Sequence, residues 1–152
     1  MKRLAVVHFM ALEYYPPVTN ILDIFSKHLS ILAISTHNRK NKDPYENKEI
    51  ALYRTRLRKG KSHAVINLCL YWWFNIVALV KLIAFKPNAI LYFESYSAFP
   101  VYFYKRYLNR EVPVFIHYHE YSSVTWYQSG MRSVRYYYDL ERKYLWKKAQ
   151  WI

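Results

Sequence analysis

The fold is decided by one short stretch, Val112-Pro-Val-Phe-Ile-His-Tyr-His-Glu120. Its apolar first half is typical of a strand that is buried on both faces. Two imidazoles and a carboxylate follow directly. Such polar groups are unfavourable in the buried interior of a strand. In parallel α/β sheets, ligands gather beyond the carboxyl ends of the strands. The stretch therefore predicts a buried strand that delivers a titratable cluster to its C-terminal tip.

Other apolar runs of strand length lie on the N-terminal side of this stretch and alternate with helical patterns. Predicted strands cover residues 4–10, 30–36, 50–54, 89–93 and 112–118. Predicted helices cover residues 20–28, 62–85, 100–108 and 133–148, the last of them basic and amphipathic. Strands that alternate with helices indicate an α/β domain in which a mostly parallel sheet is covered on both faces.

Prolines and a short polar residue set the expected helix boundaries. Pro16 and Pro17 predict a loop after the first strand, because proline is excluded from helix interiors and central strands. Asn20 is then the expected N-cap of the first helix, with Asp23 in its first turn. Pro100 is expected to open a later helix, since proline is tolerated in a first turn.

Composition indicates one globular domain. The 152 residues suffice for a hydrophobic core, and 53% of them are hydrophobic, which excludes a disordered chain. Only two glycines occur, which argues against a three-glycine dinucleotide fingerprint. Cys69 is the single cysteine and cannot form an internal disulfide, so a reducing, cytoplasmic compartment is expected.

The chain is strongly cationic and rich in aromatic residues. Its net charge is +13, and 20% of its residues are Phe, Trp or Tyr. A cationic excess attracts polyanions such as anionic lipid headgroups, nucleic acid or phosphorylated small molecules. Tyr and Trp beside Lys and Arg suit a membrane interface, and the same mixture can stack on single-stranded bases. Charge alone does not choose between these partners.

The apolar segment at residues 65–85 is long enough to span a bilayer. However, Asn67, Asn75 and Lys81 interrupt it, and they fall with Tyr71 and Ala78 on one stripe of the helix. A central lysine is costly in hydrocarbon, so a helix that covers the sheet is favoured. The apolar arc is wider than one sheet contact needs. We therefore expect a second apolar contact, with a neighbouring helix, a membrane surface or a missing domain.

Four motifs in order resemble the N-terminal domain of the family 4-like glycosyltransferases. The first is Met1-Lys-Arg-Leu-Ala-Val-Val-His8, which leads into a proline-containing loop. The second is Pro87-Asn-Ala-Ile-Leu-Tyr-Phe-Glu94, and the third is the stretch that ends in His119-Glu120. The fourth is Leu140-Glu141-Arg142 with Leu145 and Ala149-Gln-Trp-Ile152. Where the family carries a glycine pair near the donor phosphates, this chain has Tyr15-Pro-Pro-Val-Thr19.

The resemblance implies a Rossmann-like three-layer domain that forms one half of a GT-B fold. Residues 1–152 would be the acceptor-side domain, incomplete where a sixth strand is due to begin and without the C-terminal donor domain. A longer protein of this kind would be a hexosyltransferase-type enzyme that moves a sugar from a nucleotide-sugar to a polysaccharide or lipid-linked acceptor hydroxyl. The nucleotide-sugar is a co-substrate and no cofactor is expected. The chain alone is expected to be inactive.

His119 is the catalytic candidate. By resemblance it faces the interdomain cleft near the reacting sugar. A neutral imidazole can accept a hydrogen bond from a substrate hydroxyl, and a protonated one can support developing negative charge. A role in positioning is favoured over proton abstraction.

The other substrate-binding candidates are neighbours of His119 or lie on adjacent predicted loops. His117 shares a face with His119, but a buried, hydrogen-bonded histidine is favoured there. Glu120 either binds a substrate hydroxyl or caps backbone amides. Glu94 lies where an acceptor could reach it, but a solvated loop carboxylate is favoured there. The full set is Pro17, Val18, Thr19, Glu94, Ser95, His117 and Glu120.

The sequence favours neither a ligand role for His8 nor a metal site. His8 lies inside the first strand and is expected to be packed and hydrogen-bonded rather than a ligand. The spacing of the histidines and Glu120 does not match a zinc motif, so no metal site is expected.

The basic and aromatic C-terminal stretch is a candidate membrane contact. A solvated helix face is the usual explanation of such charge, but the aromatic density and the net charge raise the chance of contact with anionic lipid. The candidate residues are Arg132, Arg135, Arg142, Lys143, Lys147, Lys148, Trp126 and Trp146. The location expected is the cytoplasm, at the inner face of the cell membrane.

Two rival functions remain. One is a non-catalytic, membrane-associated interaction module that keeps the fold without the donor half. The other is single-stranded nucleic-acid binding, which rests on charge and aromatics alone, because no RNA-binding signature is present. Nucleic acid is therefore not expected as a partner.

Overall fold

The computed structural model describes residues 1–37, 43–56, 64–119, 135–136, 139–145 and 149–151. Within them, six strands form one sheet in the order β3-β2-β1-β4-β5-β6, and every neighbouring pair is parallel. The strands are β1 (Arg3–His8), β2 (Ser30–His37), β3 (Ile50–Arg56), β4 (Ala89–Phe93), β5 (Val114–His117) and β6 (Ala149–Trp151). The α/β fold with a parallel sheet, expected from the alternation of strands and helices, is confirmed.

The sixth strand begins earlier than the sequence predicts, so the expected C-terminal boundary of the domain is corrected. The resemblance placed the start of that strand at the end of the chain, but residues 149–151 already pair with β5. Of the basic helix expected over residues 133–148, residues 135–136 and 139–140 are helical, and Glu141–Leu145 forms a π-helical turn. The remaining residues of that segment lie outside the described ranges.

Helix α1 (Pro16–Ser26) begins earlier than the sequence predicts. The loop prediction for Pro16 and Pro17 and the N-cap prediction for Asn20 are wrong. The two prolines occupy the first two helical positions, where no N–H is needed and a fixed φ favours the helix. Tyr15 is the N-cap, and Asn20 lies inside the helix.

Helix α2 (Ala64–Phe85) connects β3 to β4, and α3 (Ala98–Phe103) continues into a π-helical turn at Tyr104–Leu108. Lys86 ends α2 with a φ of 51°, and its amide donates a hydrogen bond to the carbonyl of Leu82. This left-handed residue before Pro87 stops the helix, a position that glycine usually takes. Pro100 lies in the first turn of α3 as expected.

Two hydrophobic clusters lie on opposite faces of the sheet. On one face, α1 packs against one set of alternate residues of the central strands, and the members include Val18, Leu22, Leu4, Val6 and Leu91. On the other face, α2 and α3 pack against the alternate strand positions, and the members include Phe74, Leu82, Val101, Val7 and Tyr92. Alternate residues of one strand thus enter different cores, and the domain has three layers.

The orientation of α2 reverses the usual amphipathic pattern. The interrupting stripe faces the protein, because Tyr71, Asn75 and Ala78 are buried. The Tyr71 hydroxyl donates to the carbonyl of Tyr96 over 3.0 Å, and the Asn75 amide donates to the carbonyl of Tyr71. Large apolar side chains of the same helix are left exposed. The expected surplus of apolar surface on this helix is therefore present.

Candidate functional site

The candidate site lies at the carboxyl edge of the three adjacent strands β1, β4 and β5. Register places His8 beside Phe93, and Phe93 beside His117, in one row across the sheet. His119 follows two residues after the end of β5. The expected placement of His117 and His119 at the tip of a buried strand is confirmed, and the third member of the expected cluster, Glu120, lies outside the described residues.

The His119 ring packs within a cluster of aromatic rings and imidazoles. It stacks on Phe93 at 5.4 Å between ring centroids and on Tyr15, the N-cap of α1, at 4.7 Å. The rings of His8 and His117 meet it edge-on, each at 5.4 Å. Stacking on two rings fixes the orientation of the imidazole without covering the residue, which remains partly exposed.

Glu94 ties the tips of β4 and β5 together. Its carboxylate accepts a hydrogen bond from the backbone N–H of His119 over 2.6 Å, and its own N–H donates to the carbonyl of His117. Its backbone adopts φ 61° and ψ 152°, a region that is costly for any residue with a side chain. A solvated loop carboxylate does not fit these contacts. Strain of this kind gathers where the surrounding structure must hold a group in place.

A buried carboxyl group lies beneath the same edge. Glu141 is fully buried, and its two oxygens accept hydrogen bonds from the hydroxyls of Tyr92 (2.8 Å) and Ser95 (2.6 Å). Burial raises the pKa of Glu141 to about 7, and the bonds from Ser95, Tyr92 and Tyr118 partly offset that rise. Burial, then the negative charge of Glu141, raises the pKa of Tyr92 well above its usual value.

Glu141 belongs to the fourth sequence motif, but the sequence indicates no role for it. Its partners lie 46 and 49 residues away along the chain, so no local pattern indicates the contact. The available signal was a pair of carboxylates, Asp139 and Glu141, inside a predominantly basic helical segment.

His8 is packed as expected, but the hydrogen bond expected for its ring is not found in the described part of the chain. The residue is fully buried, with its ring edge-on to Tyr15 at 4.7 Å. Burial is the main cause that lowers the pKa of His8 to about 3; the charge of His119 adds to it, and the backbone of Phe93 partly offsets it. No hydrogen bond of normal geometry reaches either ring nitrogen from the described part of the chain. His8 is therefore a neutral imidazole beside His119.

The loop candidates fall on the first turn of α1. The Val18 side chain is fully buried in the core, so its side chain is not presented to a substrate. The Thr19 hydroxyl donates to the carbonyl of Pro16, and Pro17 is exposed. Ser95 stands at the tip of β4 as expected, with its hydroxyl directed to Glu141. Substrate contact by Pro17, Thr19 and Ser95 stays a prediction, whereas burial of the Val18 side chain is a correction to the expected set.

Several candidates lie outside the described residues, namely Glu120, Trp126, Arg132, Trp146, Lys147 and Lys148. The other three basic candidates, Arg135, Arg142 and Lys143, are exposed. His117 is half-buried and contacts the rings of Phe93 and His119. Among the residues that the structure describes, no group of three His, Cys, Asp or Glu side chains is placed to hold a metal ion.

A cavity of about 870 Å³ lies at the opposite, amino edge of the sheet, lined by residues that include Arg3, Leu29, Asn88 and Pro113. It contains none of the imidazoles. Because the carboxyl edge is where parallel sheets present functional groups, we place the site at His119 and not in this cavity.

The strand order and the layers define a Rossmann-like α/β domain, and solved structures of similar fold exist. The similar solved structures include MurG from Acinetobacter baumannii, with a TM-score of 0.53 and 15% identity over 93% of this chain. A UGT transferase from Siraitia grosvenorii, solved in complex with UDP, gives a TM-score of 0.45 and 12% identity over 76% of the chain.

The chain spans 39% of the MurG chain and 27% of the plant transferase chain. No family model matches the sequence, and no curated protein matches it. The likeness to MurG concerns the fold alone.

Proposed function

We propose that this chain is the acceptor-side domain of a GT-B glycosyltransferase, which passes a sugar from a nucleotide-sugar to a hydroxyl of a polysaccharide or lipid-linked acceptor. The observation that carries the proposal is the fixed imidazole of His119 at the carboxyl edge of a GT-B-like sheet. Glu94 holds the His119 backbone, and two stacked rings hold its side chain.

His119 positions the substrate in this proposal. A neutral imidazole accepts a hydrogen bond from a hydroxyl, and a protonated one stabilises negative charge that develops on a sugar or phosphate oxygen. The neighbouring His8 ring stays neutral. It therefore adds no positive charge that would repel a proton on His119. Glu94 would contact acceptor hydroxyls from the same edge, and we propose that Glu120 also binds an acceptor hydroxyl.

The donor would be held mainly by a second domain outside this chain. The first turn of α1 begins Tyr15-Pro-Pro and has no glycine to let backbone amides approach a diphosphate closely. We propose no resident cofactor, because the nucleotide-sugar brings its own leaving group. The product would be a surface polysaccharide or glycolipid made at the cytoplasmic face of the membrane.

The test is a transfer assay with the complete product of the gene and a panel of nucleotide-sugars, read as nucleotide release that depends on an added glycan or lipid-linked acceptor. We expect release with at least one donor and none from residues 1–152 alone. Absence of release with every donor, in a product that contains a second Rossmann-like domain, would refute the proposal.

The exposed apolar side of α2 also fits a second candidate, a non-catalytic membrane-associated module with the same fold. It predicts lipid binding by a gene product that has no second Rossmann-like domain. Reading the gene downstream of codon 152 separates the two candidates.

A further inference from the structure

Helix α2 presents one face to solvent that is apolar throughout its length. This outer face is defined by six large side chains, Val65, Trp72, Trp73, Ile76, Val80 and Ile83, all of them exposed. The helix rises 1.5 Å per residue, so the face is about 30 Å long. Among the exposed residues of α2 the one polar amide is Asn67, near the start of the helix. A monomeric soluble protein rarely exposes so large an apolar patch without a partner.

The helix is anchored to the domain by its opposite face. Phe74, Ala78 and Leu82 are fully buried against the sheet, and the Tyr71 hydroxyl is bonded to the turn after β4. By length and composition, Val65–Phe85 could cross a membrane. If the helix crossed a membrane, its buried side chains would leave the core of the domain. We therefore consider only partners that contact the outer face while α2 stays packed against the sheet.

Charge around α2 has one sign. Between Glu49 and Glu94 the sequence contains no Asp or Glu, and every charged side chain is Lys or Arg. Lys81 lies on the same stripe of α2 as Tyr71 and Asn75, with its Nζ 4.1 Å from the Tyr53 ring centre, and Lys86 is exposed at the end of the helix. An apolar strip with Trp side chains on a chain of net charge +13 matches an anionic lipid surface. The same charge opposes pairing with a second copy of the chain.

The chemistry of the face also disfavours a protein partner. Protein–protein interfaces carry about one hydrogen bond per 100–200 Å². The outer face offers apolar atoms, the two indoles and, beyond Asn67, no other polar side chain among the exposed residues of α2. Lipid chains require no hydrogen bonds.

We propose that the outer face of α2 is a membrane-docking surface that lies in the plane of an anionic bilayer. This differs from the C-terminal basic stretch that the sequence suggested. It does not depend on sugar transfer, because a docking helix serves an enzyme and an inactive module equally.

The test is sedimentation of the chain with phosphatidylcholine vesicles that do or do not contain phosphatidylglycerol. We expect binding to the anionic vesicles, weaker binding to the neutral ones and a blue shift of tryptophan emission on binding. Ile76→Glu should weaken binding by about tenfold to 100-fold, because one large apolar contact is lost and a like charge meets the lipid. Ile24→Glu is the matched control, since Ile24 on α1 is 58% exposed and Ile76 is 53% exposed.

Circular dichroism establishes that both variants fold; if Ile76→Glu does not, the milder pair Ile76→Ser and Ile24→Ser replaces it. No binding to anionic vesicles, or equal loss in the control, overturns the proposal. A soluble dimer that Ile76→Glu dissociates, without vesicle binding, overturns it in favour of a second copy.

Discussion

Two residues near His119 are held in states that are unfavourable in free energy, one because of its backbone conformation and one because of its burial. Glu94 has a left-handed φ, and Glu141 is a carboxyl group without solvent contact. Both surround the tip of β4, where Glu94 reaches His119 and Ser95 reaches Glu141. The strained backbone of Glu94 and the buried carboxyl group of Glu141 therefore lie at the same short edge of the sheet. The effect of each on the free energy of unfolding can be measured separately.

Glu141 should make stability depend on pH. Its folded pKa of about 7 lies above its ordinary value of 4.5, so the folded state binds this proton more tightly than the unfolded state. Stability is then greatest below the ordinary pKa and is lost as pH rises through about 7. The shift corresponds to about 3 kcal/mol in the free energy of unfolding as an upper bound.

Glu141→Gln should remove most of this loss, measured by urea unfolding between pH 4.5 and 8 and compared with the unaltered chain. Glu111→Gln, at an exposed position, is the control and should leave the profile unchanged. A wild-type profile that coincides with that of Glu141→Gln would contradict the raised pKa.

The strain at Glu94 predicts an inverted order of two variants. Both Glu94→Ala and Glu94→Gly lose the bond to His119, but only glycine adopts φ 61° and ψ 152° without cost. Glu94→Gly should therefore unfold with a free energy about 1 kcal/mol higher than Glu94→Ala. Chemical denaturation measures the difference, and a more stable alanine variant would exclude strain at this residue.

At the element scale, helix ends and helix faces are determined by different forces. Helix α1 begins at two prolines because its first turn needs no N–H groups, although the same prolines predicted a loop from sequence. Helix α2 turns Tyr71 inward, where its hydroxyl donates a hydrogen bond to the carbonyl of Tyr96 in the turn after β4. Its apolar side is then left outside.

The end of α2 gives a prediction with an internal control. Lys86→Gly should stabilise the chain by up to about 1 kcal/mol, since glycine accepts the left-handed φ of 51°. Lys27→Gly removes the same charge at the end of α1, where φ is −67°, and should be neutral or destabilising. Thermal unfolding compares the two, and equal effects would show that charge and not conformation is responsible.

At the scale of the whole molecule, the sequence predicts most of the sheet and part of the site. Alternating apolar runs predict β1 to β5 and their parallel arrangement, because buried strands and covering helices leave distinct periodicities. The juxtaposition of His119 and Glu94 follows from adjacent strand tips. The role of Glu141 and the packing of Tyr15 on His119 do not, because both depend on contacts between distant segments.

We propose that His119 positions the substrate for sugar transfer at the carboxyl edge of the sheet. The most direct measurement is the rate of acceptor-dependent nucleotide release by the complete gene product with His119→Ala, compared with His28→Ala at an exposed position of this chain. We expect His119→Ala to lower the rate by about 100-fold or more while His28→Ala leaves it unchanged. Full activity of a folded His119→Ala variant would contradict the account.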